Sequence, residues 1–177
     1  MPDVSSNAPA EVRMRAALDI HKLTIVSASC SDDPRAGEPR LEEIPNTERA
    51  LRALVKRLGG SDGLAVCYEA GPCGYDPLRL LSSIGVACDL VAPSLVPVKA
   101  GDRVKTDRRD AKKLLALYRA GALSFVKPPT PEQEGLRDLV RCRHDLVSAR
   151  RAARHRVQKQ LLRYGLIFLR QKSRRSP

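Results

Sequence analysis

Apolar and polar positions divide the chain into short patterned blocks separated by turn-forming residues. Residues 1–14 are rich in Ser, Pro and Ala and read as a disordered leader, with Met14 opening the pattern. Residues 16–30 are apolar and β-branched, broken only around Asp19, His21 and Lys22, which predicts a strand, a tight turn and a second strand. Turn-formers fill 31–40, and a short strand follows at about 41–44. Asn46 is placed to cap a helix running to Leu58, with Leu51, Leu54, Val55 and Leu58 on one face and Gly59-Gly60 as its stop.

The second half of this pattern alternates strand and helix. Residues 64–68 (LAVCY) predict a buried strand with Glu69 at its C-terminal end. Gly71-Pro72 turns the chain into a helix over about 76–83, which Gly85 stops, and 86–92 (VACDLVA) predict another buried strand. Residues 93–105 form a basic loop, after which Thr106 caps a helix over 107–120, ended by Gly121. Thr130, Pro131 and Gln133 then make a strong helix start, with cap, first-turn proline and capping box in sequence. That helix should run to Arg163 and stop at Gly165. Its apolar residues (Leu136, Leu139, Val140, Leu146, Val147, Ala153, Val157, Leu161) recur at nearly coiled-coil spacing, interrupted by Arg143 and Arg150. Three strands followed by helix, strand, helix, strand, helix imply a mixed five-stranded sheet with helices on its faces. The predicted organisation is an α/β domain over 15–125, a long basic helix over 130–165 and a basic tail over 166–177.

Composition sharpens this picture. Aromatic residues make up 3% and Trp is absent, so the core is expected to be aliphatic and a row of base-stacking aromatics is not available. Residues 1–98 carry 10 Lys and Arg against 13 Asp and Glu, whereas 99–177 carry 22 against 7. A near-neutral domain joined to a strongly basic half predicts a polyanionic partner, with nucleic acid first. A membrane surface is disfavoured because the basic helix lacks a bulky apolar face. Five cysteines without a C-x-x-C pair, and no export signal at the start, predict reduced thiols and a cytoplasmic location. No apolar run approaches the roughly 18 residues of a membrane span.

Four carboxylates stand out by position: Asp19 in the first strand, Glu69 at the end of the fourth, and Asp107 and Asp110 one turn apart at a helix start. If the first and fourth strands are neighbours, Asp19 and Glu69 lie side by side and the helix can close over them. Carboxylates so placed repel unless a cation compensates, and oxygen ligands favour Mg²⁺ or Mn²⁺. Each residue also has an ordinary reading: Asp19 as a turn former, Glu69 as a loop acid, Asp107 as a complement to the helix dipole. His21 reads as a turn or surface residue rather than a ligand. The stretch Gly71-Pro72-Cys73-Gly74 reads as a turn, lacking the lysine and spacing of a phosphate loop. Lys99, Arg103, Lys105, Arg108 and Arg109 around the helical pair, with Arg150, Arg151 and Arg154 on the long helix, are the expected nucleic-acid contacts.

The stretches ALDIHK, YEAGPCGY, CDLVAPSLVPVKAGDRVKTDRRDA and LRDLVRCRHDLVSARRAARHRVQKQLLRYGL resemble the DEDD transposases of bacterial insertion sequences, the insertion-sequence one-ten family. Their N-terminal domain is like that of the RuvC junction resolvase. The resemblance implies an RNase H-like fold, a DEDD tetrad carried here by Asp19, Glu69, Asp107 and Asp110, and DNA as substrate. It also implies a guide RNA as a further partner and a coiled coil over 131–163 that makes a homo-oligomer. Family members continue into a second domain with a nucleophilic serine. No serine here matches that motif, so Ser94 and Ser124 take no catalytic role and a truncated or frameshifted reading frame is expected. The competing readings are a non-catalytic, dimerising DNA- or RNA-binding remnant and a metal-dependent junction resolvase acting alone.

Overall fold

The structure is a computed structural model that describes residues 11–33, 35–97 and 106–167. The chain divides into two compact units, Met1–Pro128 and Pro129–Pro177. In the first, strands β1 (Met14–Ile20), β2 (Thr24–Ser31) and β3 (Arg40–Pro45) precede helix α1 (Glu48–Arg57). Then come β4 (Leu64–Glu69), α2 (Asp76–Ser83), β5 (Ala87–Val91), a 3-10 turn at Pro93–Leu95 and α3 (Asp107–Arg119). The strands form one sheet in the order β3-β2-β1-β4-β5, with β2 antiparallel to both of its neighbours and β1, β4 and β5 mutually parallel. This is the mixed, RNase H-like sheet the resemblance implied.

Strand alternation sorts the core into two layers. Ala16, Leu18, Ile25, Ile44, Val66, Tyr68, Cys88 and Leu90 form one cluster with Leu51, Leu54 and Val55 of α1 and Leu81 of α2. Ala17, Val26, Ala28, Ala65, Cys67 and Val91 form the other with Ala111, Leu114, Leu115 and Tyr118 of α3. Fully burying a leucine such as Leu54 or Leu115 contributes on the order of 1.5–3 kcal/mol. On the α3 side the contacts are unusually small: Ala17, Ala28, Ala65 and Ala111 are all wholly buried. The helix therefore packs partly over alanine methyl groups, beside Val26, Cys67 and Val91.

Several local expectations need correction. Thr47, not Asn46, caps α1, its hydroxyl accepting from the Ala50 N–H at 3.3 Å. Asn46 instead donates from Nδ2 to the His21 carbonyl at 2.8 Å. The core is not purely aliphatic, since Tyr68 and Tyr118 are buried in opposite layers. Met14 belongs to β1 and Val12 packs against the α3-side cluster, so ordered chain starts ahead of residue 15. Residues 1–10 and 168–177, expected as leader and tail, lie outside the described residues.

The second unit is built around α4 (Pro131–Arg163). Its start matches the sequence signal: Thr130 Oγ1 accepts from Gln133 N at 3.3 Å, and Gln133 Oε1 accepts from Thr130 N at 3.2 Å. Gly165, at φ +72°, supplies the left-handed residue that ends it. No residue of α4 is buried. Leu136, Leu139, Val140, Leu146, Val157 and Leu162 are all exposed.

Candidate metal centre

Asp19 stands one residue before the end of β1 and shares the α3-facing side of the sheet with Ala17. In the parallel neighbour β4, Tyr68 pairs with Leu18, so Glu69 comes one step past the last pair at the level of Asp19. The third contributor is the first turn of α3. Thr106 caps it, with Oγ1 accepting from Arg109 N at 3.4 Å, and buried Ala111 holds it to the sheet. Asp107 and Asp110 are thereby carried to the strand ends.

His21 sits between these elements. Its Nε2 lies 3.2 Å from Asp19 Oδ2 and 3.4 Å from Asp107 Oδ1. The ligand atoms of Asp19, His21 and Asp107 all fall within 4.8 Å of one another. The turn that presents His21 is pinned. Its N–H donates to the Thr24 carbonyl at 2.9 Å, its carbonyl accepts from Asn46 Nδ2, and Asn46 N–H donates to the Leu23 carbonyl at 2.8 Å. From the other side, the Cys73 thiol donates to the Ile20 carbonyl at 3.6 Å and the Tyr68 hydroxyl to the Gly74 carbonyl at 3.2 Å. The Gly71-Pro72-Cys73-Gly74 turn thus supports the base of the site.

Burial holds the Asp19 carboxyl above its ordinary range, and the negative charges of Asp107 and Asp110 push it further the same way, while His21 opposes both. Like charges converge here, and a cation would relieve them. Of the four acids singled out in the sequence, Asp19 and Asp107 come within 4.8 Å of each other, with His21 Nε2 in reach of both. Asp110, half-buried on the next turn, is close enough for Asp19 to feel its charge. Glu69 is exposed at the end of β4 and stands outside the three-residue cluster. His21, which reads in the sequence as a turn or surface residue, is the residue that the fold brings between Asp19 and Asp107. The available signal was its position two residues after Asp19, which along extended chain returns a side chain to the same face.

The expected nucleic-acid contacts are distributed over both units. Arg108 and Arg109 are exposed on the first turn of α3, and Arg150, Arg151 and Arg154 are exposed on α4, while Lys99, Arg103 and Lys105 lie outside the described residues. Behind the site, α3 is fastened to the sheet by polar contacts. Tyr118 Oη donates to Asp89 Oδ2 at 2.8 Å, the Arg15 guanidinium lies 5.1 Å from the Tyr118 ring centre, and Arg15 Nε donates to Asp32 Oδ1 at 2.6 Å.

Fold and site together define the class: an RNase H-like domain with carboxylates gathered at the C-terminal ends of its central parallel strands. A sequence model of the IS110-type DEDD family, described as transposase, matches residues 16–166, and the chain belongs to that family. A Sinorhizobium fredii protein named as transposase y4qE is 41% identical over 153 residues, covering 85% of this chain and 39% of its own. The transposase for insertion sequence element IS1533 of Leptospira borgpetersenii is 34% identical over 159 residues, covering 89% of this chain and 46% of its own. The chain therefore spans less than half the length of these relatives. Among solved structures, T. thermophilus RuvC in complex with a Holliday junction substrate is similar at a TM-score of 0.44 and 13% identity, over 64% of this chain and 99% of that one.

Proposed function

We propose that this chain is the metal-binding portion of a DNA transposase, with Asp19, Glu69, Asp107 and Asp110 holding Mg²⁺ or Mn²⁺ at the site of DNA strand cleavage and rejoining. The observation that carries this reading is the convergence of Asp19 and Asp107, 88 positions apart in sequence, onto one cluster at the C-terminal end of the central strand β1. Family membership supports DNA as the substrate, and the basic residues flanking the acids suit a phosphate backbone. Divalent ions bound there would activate an attacking oxygen and stabilise a leaving one. The chain's own contribution is to hold the acids in place through β1, β4 and the capped start of α3, and to present Arg108 and Arg109 to phosphates beside them. In this reading, Lys99, Arg103, Lys105, Arg150, Arg151 and Arg154 extend the contact to DNA or a guide RNA, and the exposed apolar stripe of the 131–163 helix joins copies of the chain. Among the described residues no helix is long and apolar enough to cross a membrane.

The test is calorimetric titration of Mg²⁺ and Mn²⁺ into the wild-type chain and into Asp19→Ala and Asp107→Ala. Binding lost in both variants is the expected result; unchanged affinity would refute the metal assignment. Salt-sensitive DNA binding without cleavage, even with metal bound and a serine-bearing domain supplied, would favour a non-catalytic binding module.

A further inference from the structure

We infer that His21 is itself a ligand, giving the centre one nitrogen donor among its carboxylates and a preference for Mn²⁺ over Mg²⁺. The inference rests on the metal-centre reading above and deepens it. Nε2 of His21 is the atom that stands between the two closest acids, 3.2 Å from Asp19 Oδ2 and 3.4 Å from Asp107 Oδ1. The imidazole is exposed, but the backbone that carries it is held. The His21 peptide is held at both ends, by its N–H to Thr24 and by the Asn46 amide on its carbonyl, and Asn46 also fixes Leu23 through its backbone N–H. Asn46 comes from the junction of β3 and α1, far along the chain, and it caps nothing there because Thr47 does that work. Its side chain instead fixes the turn that aims the imidazole at the acids. Asn46 is thus a positioning residue for His21.

The donor set decides the ion class. Mg²⁺ binds oxygen almost exclusively and gives up water reluctantly, whereas Mn²⁺ suits carboxylates too but, as a transition metal, accepts an imidazole nitrogen more readily than Mg²⁺ does. Two carboxylates and an imidazole within 4.8 Å of one another therefore favour Mn²⁺, with Asp110 and Glu69 available to complete the oxygen ligands. A purely acidic site on this fold would place no nitrogen on the ion.

The experiment is pulsed electron paramagnetic resonance of Mn²⁺ bound to the full chain, paired with calorimetric titration of Mn²⁺ and Mg²⁺. Wild-type protein is expected to show nitrogen modulation of the Mn²⁺ signal. His21→Gln, which keeps a polar side chain but no imidazole, is expected to lose that modulation and about tenfold or more in Mn²⁺ affinity, with a much smaller change for Mg²⁺. Asn46→Ala should weaken Mn²⁺ binding in the same sense while leaving the circular dichroism spectrum unchanged. Because a wild-type spectrum without nitrogen modulation refutes the ligand by itself, the test stands even if a variant folds poorly. Bound Mn²⁺ without nitrogen modulation, or modulation that survives in His21→Gln, would overturn the inference and leave the acidic centre intact. A wild-type chain that binds neither ion would overturn both.

Discussion

The attachment of α3 to the sheet gives the sharpest energetic prediction. Tyr118→Phe removes one hydroxyl, whose hydrogen bond to the Asp89 carboxylate spans 2.8 Å between residues that are 3% and 2% exposed. The ring itself stays, and with it the edge-on contact to Phe125, at 6.0 Å between centres and 84° between planes, and the stacking of Arg15. The loss is therefore almost purely that of a buried hydrogen bond to a charged group, about 1.5–3 kcal/mol. For a chain of this length that lowers the melting temperature by roughly 3–12 °C. Scanning calorimetry and urea denaturation would measure it. A second variant identifies the partner. Charge-assisted hydrogen bonds are about twice as strong as neutral ones, so in an Asp89→Asn background the same tyrosine change should cost about half as much. An equal cost in both backgrounds, or a cost below about 0.5 kcal/mol in the wild type, would refute the claim that this pair fastens α3.

Three further outcomes are expected. In the metal-free protein, Asp19→Asn should raise the melting temperature, because it removes a partly buried charge repelled by Asp107 and Asp110. Since the folded state raises this carboxyl's pKa, the wild type loses the corresponding stability as pH rises from the ordinary carboxylate value through the raised one, and the variant's curve should be flatter there; matching stability–pH curves would contradict the repulsion. Thiol labelling followed by peptide mapping should modify exposed Cys142 first and half-buried Cys73 more slowly. Cys30, Cys67 and Cys88 should react only after unfolding, because all three are buried and burial also pushes the Cys67 and Cys88 thiols up; equal rates for all five would contradict the packing. Thr130→Ala should cost about 1 kcal/mol at the start of α4 and release amide protection over residues 133–136, measured by hydrogen exchange; unchanged protection would count against the capping box.

Much of the fold was legible because its signals are local. The alternation of 16–30, the apolar faces of the helices, the Thr106 cap and the Thr130–Gln133 box each specify an element within a few residues. The adjacency of β1 and β4, conditional in the sequence, is fixed by their parallel pairing in the fold. What the sequence concealed was non-local. Asn46 looks like a cap, and only the fold shows its amide spent on a turn 25 residues earlier. His21 looks like a turn residue until α3, from the far end of the domain, brings Asp107 against it. Glu69 illustrates the converse: strand order puts it level with Asp19, yet its exposed side chain lies outside the tightest cluster. The buried Asp89 was equally hidden, because its partner Tyr118 lies 29 positions away on another element.

The alanines beneath α3 carry a consequence for how the centre tolerates change. Ala17, Ala28 and Ala65 of the sheet and Ala111 of α3 contribute no donor atom, yet their small volume lets the helix pack close enough to bring Asp107 within 4.8 Å of Asp19. A single added branch, as in Ala111→Val, would lift the helix and widen the gap between carboxylates with every ligand still present. The separation of Asp107 from Asp19 is thus set partly by methyl groups, and drift at these positions would change that separation before it altered the acids themselves.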